Sequence, residues 1–373
     1  MPKKRIALRK VKRPYKIIRG DDYKYFGEVK IGVFHGFGIY YGQGFIYKGQ
    51  FKLGHMEGYG KLTDIMSGAI YKGEFKKGQP HGYGIIIDKN REEYEGEMKK
   101  DYREGYGIIT LNNEITYKGQ FKNNQREGIG IRIFSSGNIY KGEFKNDKKE
   151  GYGILEFISG NKYEGEWKDD KRHGVGKVTT PLNYNFIGIY KNGSKNGLGY
   201  SFDNNRTMFG NFKENNIDGH AIIKYSNGDI YKGEVKNGNF EGYGIYKFSN
   251  GNEYEGEFKN SNKHGIGIFK FFYDEFDGDI FKGEFKDGKR NGIGTYISTN
   301  GFIYKGEAKD DLMHGYGEAL QANGEKYEGE FKYNQRIGYG KYTYPDGEVY
   351  ERIFNDEPEE VDIVDLDDLF RGY

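Results

Sequence analysis

"YKGEFKNDKKEGYGILEFISGNKYEGEW", residues Tyr140–Trp167, restates its own beginning: Tyr-Lys-Gly-Glu-Phe opens it and Tyr-Glu-Gly-Glu-Trp closes it. The same opening recurs at Tyr25, Tyr47, Tyr71, Tyr94, Tyr117, Tyr140, Tyr163, Phe186, Met208, Tyr231, Tyr254, Phe281, Tyr304 and Tyr327. A broken copy follows at Tyr350, where Arg352 stands in place of the glycine. A period of about 23 residues, held from end to end, marks a repeat architecture in which neighbouring units complete one another's core. Residues 23–354 therefore read as one repeat array.

Within the unit, side chains of a strand alternate between faces. Tyr140, Gly142 and Phe144 share one face, while Lys141, Glu143 and Lys145 share the other. After a polar turn the chain resumes as "EGYGILEF" (150–157), again with glycines and large apolar residues on one side. The next reversals, "SNGD" (226–229), "SNGN" (249–252) and "PDGE" (345–348), carry Asn-Gly or Asp-Gly. Those dipeptides tolerate positive φ at both central positions of a tight hairpin turn, which is expected here. Each unit is then a β-hairpin, and the fold class is all-β: an elongated, twisted antiparallel sheet of about fourteen consecutive hairpins. A glycine on a paired strand leaves space over which a neighbouring aromatic ring can lie. The aromatic face is represented by Tyr71, Phe75, Tyr140, Phe144, Tyr163, Trp167, Tyr254, Phe258, Tyr327 and Phe331. The opposite face is expected to carry a solvated Lys-x-Glu-x-Lys ladder.

Composition agrees. The chain has 60 glycines and 35 tyrosines but 6 prolines and no cysteine, so its glycines are in register rather than in a loose linker, and disulfides are excluded. No apolar run approaches the roughly 20 residues of a spanning helix, and no secretory signal is apparent. The net charge of +2 conceals two poles. Residues 1–20 carry nine Lys/Arg and no acid, residues 355–373 carry eight Asp/Glu and one Arg, and the array between them is neutral.

These residues resemble the MORN repeat family. "YKGEFKKGQPHGYG" from Tyr71 and "YEGEWKDDKRHGVG" from Tyr163 are similar to its Tyr-x-Gly-Glu-Trp/Phe-x-x-Gly-x-x-His-Gly-x-Gly motif. The family histidine is kept at His35, His81, His173, His264 and His314, and is replaced at Glu57, Glu104, Glu127, Glu150 and Glu241. The copies at Phe186 and Met208 are degenerate, with "DGHA" (218–221) where Gly-x-Gly is due. The resemblance implies a twisted sheet used in protein assembly. Many-repeat members without an attached domain include radial spoke head proteins of cilia and cytoskeletal scaffolds of protists.

Candidate chemistry is sparse. Histidines that exchange with glutamate at one repeat position do not make a metal site, and a hydrogen bond near the turn is expected of them instead. No phosphate-binding glycine motif precedes a helix. The neutral array disfavours nucleic acid, because phosphate neutralisation supplies most of that affinity. The expectation is no enzyme and no cofactor. Partner attachment falls to the two poles: Lys3, Lys4, Arg5, Arg9, Lys10, Lys12 and Arg13 toward an acidic surface, and Ile363, Leu366, Leu369 and Phe370 among acids toward a partner groove. The function read from this is a non-enzymatic scaffold in a ciliary axoneme or another microtubule-based cytoskeletal assembly, hence cytoplasmic. The partners are other proteins of that assembly, including axonemal components. The alternative is a tether held peripherally on anionic phospholipid through the basic arm or the repeat groove.

Overall fold

The computed structural model describes residues 15–272 and 278–354. The chain divides into two units, Met1–Gly176 and Lys177–Tyr373, and each is described by itself. The described residues form thirty strands and no helix, in an antiparallel sheet that follows chain order. The expected all-β chain of hairpins is the fold this sequence adopts.

In the first unit the repeat at Tyr140 is built from β12 (Ile139–Lys145) and β13 (Lys148–Glu156), followed by β14 (Lys162–Lys168) of the next hairpin. The turn between β12 and β13 places Asn146 at φ 48° and Asp147 at φ 67°. Two left-handed residues in succession match the right-handed twist of the flanking strands, and Asn and Asp tolerate that region best. The Asn-Gly reversals are different, and here the sequence reading is corrected. In "SNGN" Gly251 alone has positive φ, and its N–H donates to the Phe248 carbonyl at 3.0 Å. This is a three-residue loop, an ordinary turn ended by a left-handed glycine, so only one position needs glycine's freedom.

The hairpin is not a plain ladder. Gly142 pairs with Gly153 and Phe144 with Lys149, so Glu143 alone faces Glu150, Gly151 and Tyr152. Gly151 absorbs the resulting bulge at φ 59°. The core lies on one face. Tyr140 is fully buried, and a Cβ added at Gly153 would sit 2.3 Å from its hydroxyl oxygen and 2.5 Å from its ring. Rings then meet edge to face along the unit: Phe144 on Tyr117 at 5.4 Å, Tyr140 on Phe144 at 5.1 Å, Trp167 on Tyr140 at 5.5 Å and Tyr163 on Trp167 at 5.0 Å. Such contacts contribute roughly 0.5–1.5 kcal/mol each beyond the area they bury.

The second unit repeats the plan. Strands β20 (Ile230–Lys236), β21 (Asn239–Lys247) and β22 (Glu253–Lys259) pair Gly233 with Gly244 and Gly244 with Gly256. The degenerate copies still form hairpins. Phe186 is fully buried, and Gly210 pairs with Ala221, whose methyl is accommodated where Met208 has no ring to lie over it.

Candidate interaction surface

The aromatic residues singled out from sequence are the core. Tyr71, Phe75, Phe144, Trp167, Phe258, Tyr327 and Phe331 are buried, as are Tyr140, Tyr163 and Tyr254. Each tyrosine hydroxyl is anchored: that of Tyr140 donates to the Glu143 carbonyl at 3.0 Å and that of Tyr163 to the Glu166 carbonyl at 2.9 Å. Burial pushes the Tyr140 and Tyr254 phenols well above their ordinary range, and Tyr327 to about 12. Cations close the ring stack at its side, Lys149 Nζ lying 4.1 Å from the Trp167 ring and Lys263 Nζ 4.5 Å from Phe269. Burial pushes Lys263 down to about 8.

The other face is open to solvent. In the first unit Gly27, Gly38, Gly49, Gly60, Gly73 and Gly84 pair in succession from strand to strand, forming a row. Rings cover that row on the core side and leave the opposite side bare. Beside it stand the residues between the two glycines of each second strand. Phe37, Tyr59 and Tyr83 are all about half exposed or more, and Tyr106, Ile129, Tyr152 and Val175 continue the series. Over the first three repeats the row floors a trough of about 800 Å³, walled by Tyr15, Phe26, Phe37, Tyr59 and Tyr83 with Ile39, Ile85, Lys48, Lys61 and Lys72. The trough ends where Tyr83 reaches the next hairpin and donates its hydroxyl to Glu95 Oε1 at 2.8 Å. Tyr152 makes the same bridge to Glu164 at 2.8 Å. Before Tyr83 the corresponding positions are Phe26, Lys48 and Lys72, so no carboxylate is there to draw a tyrosine across.

In the second unit the series continues with Leu198, Tyr243, Ile266, Ile293, Tyr316 and Tyr339, all exposed. Tyr243 donates to Glu255 Oε1 at 2.6 Å.

The acidic residues have structural work that the ladder reading missed. Glu143 Oε1 accepts the Tyr152 N–H at 3.0 Å, and Glu166 Oε1 accepts that of Val175 at 3.0 Å. Gln50 and Gln120 do the same for Tyr59 and Ile129. The side chain in the Gly-Glu-Phe position thus satisfies the amide that the bulge takes out of the ladder. At the histidine position, Glu57, Glu104, Glu127, Glu150 and Glu241 each accept the first N–H of the following turn at 2.9–3.1 Å. The expected hydrogen bond near the turn is therefore made by glutamate. The Nδ1 atoms of His35, His173, His264 and His314 are buried without a hydrogen-bond partner. Among the described residues no group of three or more His, Cys, Asp or Glu could hold a metal. The stitching was signalled in sequence by Glu104, Glu127, Glu150 and Glu241 each standing 19 residues before the first residue of a following turn, a spacing that means nothing until the register is known.

Lys3, Lys4, Arg5, Arg9, Lys10, Lys12 and Arg13 lie outside the described residues, as do Ile363, Leu366, Leu369 and Phe370.

Comparison with known proteins bears on the repeat itself. The MORN repeat model matches residues 25–44, 47–66, 71–91, 94–114, 117–139, 140–162, 163–181, 209–230, 231–253, 254–272, 281–302, 304–326 and 327–349. The copy at Phe186 is passed over, although its hairpin forms. No curated protein matches the chain. Among solved structures, the TCP domain of Drosophila melanogaster SAS-4 (dCPAP), in complex with a proline-rich motif of Ana2 (dSTIL), is similar at 13% identity. It covers 48% of this chain and 89% of its own, with a TM-score of 0.26. Virginiamycin B lyase from Staphylococcus aureus is 13% identical, covering 63% of this chain and 87% of its own at a TM-score of 0.13. Likenesses that slight carry no argument. The family match follows the same hairpins whose glycine rows and buried tyrosines have just been described, and the chain belongs to the MORN repeat family.

Proposed function

We propose that the chain is a non-enzymatic scaffold of a microtubule-based cytoskeletal assembly, with the ciliary axoneme as its setting. MORN repeats mark a protein made for protein or membrane interactions. The observation that supports the protein reading is the open face. Once per repeat, an apolar or aromatic side chain stands exposed beside the glycine row, and contiguous exposed apolar surface marks a binding face. Glu143 and Glu150, representative of the glutamates that recur in the repeats, are hydrogen-bonded to bulge and turn amides. The cytoskeletal and ciliary setting draws on the resemblance to many-repeat members such as radial spoke head proteins.

The test is detergent extraction of cells expressing a tagged copy. Retention in the insoluble pellet through high salt is the expected result. Release by detergent alone would overturn the proposal and favour a tether on anionic phospholipid, with the basic arm as the part to mutate.

A further inference from the structure

We infer that the trough over the first three repeats is a binding site for an acidic, apolar segment, and that its occupant is the stretch Val361–Phe370 of a second copy of this chain. The inference goes beyond the cytoskeletal proposal and does not depend on it.

The trough supplies two things a ligand must match. Its floor and walls are apolar: bare glycine backbone below, with Phe26, Phe37, Tyr59 and Tyr83 exposed above it. Its charged lining is of one sign, being Lys48, Lys61 and Lys72 with no carboxylate among the lining residues. The nearest repeat glutamate, Glu74, is turned away, its Oε1 accepting the Tyr83 N–H at 3.2 Å, and Glu95 is held by the Tyr83 hydroxyl. An apolar surface flanked by unopposed lysines recognises a segment that interleaves large apolar side chains with acids.

The sequence holds one stretch of that description. "EEVDIVDLDDLF" (359–370) carries six acids with Val361, Ile363, Val364, Leu366, Leu369 and Phe370 between them. Its length also fits. The trough crosses seven strands, from β1 (Tyr15–Arg19) to β7 (Gln79–Ile87), or about 30 Å at the ~4.8 Å spacing of paired strands. Ten residues, 361–370, span about 33 Å when extended. Nineteen residues, 355–373, follow the last described strand, and the segment is among them.

The experiment titrates a fluorescent synthetic peptide of residues 356–373 into the full-length chain and reads anisotropy. To remove competition, the chain carries Ile363→Ser, Leu366→Ser, Leu369→Ser and Phe370→Ser in its own tail. Saturable binding is expected, at least tenfold weaker when Tyr59→Ser and Lys72→Glu are added, and weaker in the chain with its native tail. Tyr106→Ser with Lys118→Glu, on the same face beyond the Tyr83–Glu95 closure, is expected to leave binding unchanged. Tyr59, Lys72, Tyr106 and Lys118 are all exposed, so matching melting curves exclude misfolding. Absence of saturable binding would overturn the inference, as would equal weakening by the Tyr106/Lys118 pair, which would mean general stickiness. Failure to bind peptide together with pelleting on phosphatidylserine vesicles, lost in Lys48→Glu/Lys72→Glu, would overturn it in favour of a lipid surface.

Discussion

Gly153→Ala tests the packing rule of the fold. An added Cβ meets three atoms of Tyr140 at 2.3–2.6 Å, all inside contact distance. The ring is fully buried and its hydroxyl is tied to the Glu143 carbonyl, so it cannot swing away freely. Overpacking of this kind costs about 1–3 kcal/mol, and breaking the Tyr140 hydrogen bond adds roughly 1 kcal/mol. A loss of about 2–4 kcal/mol is expected. Tyr140→Ala alone removes a buried ring and should cost about 3–5 kcal/mol. In the double variant the methyl enters the vacated space, so the two losses should fall short of their sum by about 2 kcal/mol. Gly142 supplies the control. A Cβ there would meet the Gly153 Cα at 2.5 Å and the Tyr152 carbonyl at 2.7 Å, so backbone as well as ring stands in its way. Tyr140→Ala should therefore leave most of the Gly142→Ala loss in place. Trp167, the single tryptophan, packs edge-on against Tyr140 and reports this repeat in urea unfolding followed by fluorescence. Additivity of Gly153→Ala with Tyr140→Ala, or equal rescue of Gly142→Ala, would refute the reasoning.

Other expectations follow from the same geometry. The buried phenols, Tyr47, Tyr94, Tyr117 and Tyr140 among them, are raised by burial, so their stabilisation is complete below pH ~10 and falls as pH rises beyond it, by up to about 1.4 kcal/mol per pH unit for each. Phenolate absorbance and loss of strand circular dichroism should then coincide in one steep alkaline transition, and ionisation of the buried set without unfolding would contradict this. Lys263 is pushed down to about 8 by burial, so the penalty for its charge is present at pH 7 and relieved as pH climbs from ~8 toward ~10.5. Lys263→Met should stabilise the protein in neutral urea titrations, with the advantage shrinking by pH 10. Glu143→Gln should be nearly silent because Gln50 and Gln120 already perform that role, whereas Glu143→Ala should cost about 1 kcal/mol and speed hydrogen exchange at the Tyr152 amide. Lys16→Gly with Arg352→Gly should increase end-to-end association, measured as molar mass by light scattering; an unchanged mass at high protein concentration would argue against the reasoning given below.

Residues two apart were enough to find the hairpins and the buried side of Tyr140 and Phe144, because strand alternation depends only on local sequence. What lay beyond that reading depends on register. Glu143 has lysine on either side in sequence, which suggested a charge ladder, but the bulge puts three residues opposite it and exposes the Tyr152 amide to its carboxylate. The Asn-Gly reversals misled for a related reason. The dipeptide announces a left-handed residue but does not count how many residues lie between the closing pair, and the loop at Gly251 is one longer than the tight turn it resembles. The trough was least legible, since it is open where Lys72 holds, relative to Tyr59, the place that Glu95 holds relative to Tyr83, and it closes where the Tyr83 hydroxyl reaches Glu95, twelve residues away.

A sheet made by repetition also needs a reason to stop, and the glycine row contains it. At one end Lys16 pairs with Gly27, and at the other Arg352 pairs with Gly340. Among the described residues, strand β1 therefore holds the place of a second strand without its first, and β30 (Val349–Phe354) holds the place of a first strand without its second. Two copies could in principle anneal these halves into one more hairpin. In the register of β12 with β13, which sets Gly142 against Gly153, the annealed pair would set Arg352 against Lys16. Two like charges would meet, and Tyr350, now 58% exposed, would have to lie over a lysine stem instead of bare backbone. Like charges directly opposite on paired strands are destabilising, and charged side chains on an edge are how natural sheets avoid joining. The same position that permits growth when it is glycine forbids it when it is basic, so internal repetition and blocked ends are written with one residue per repeat.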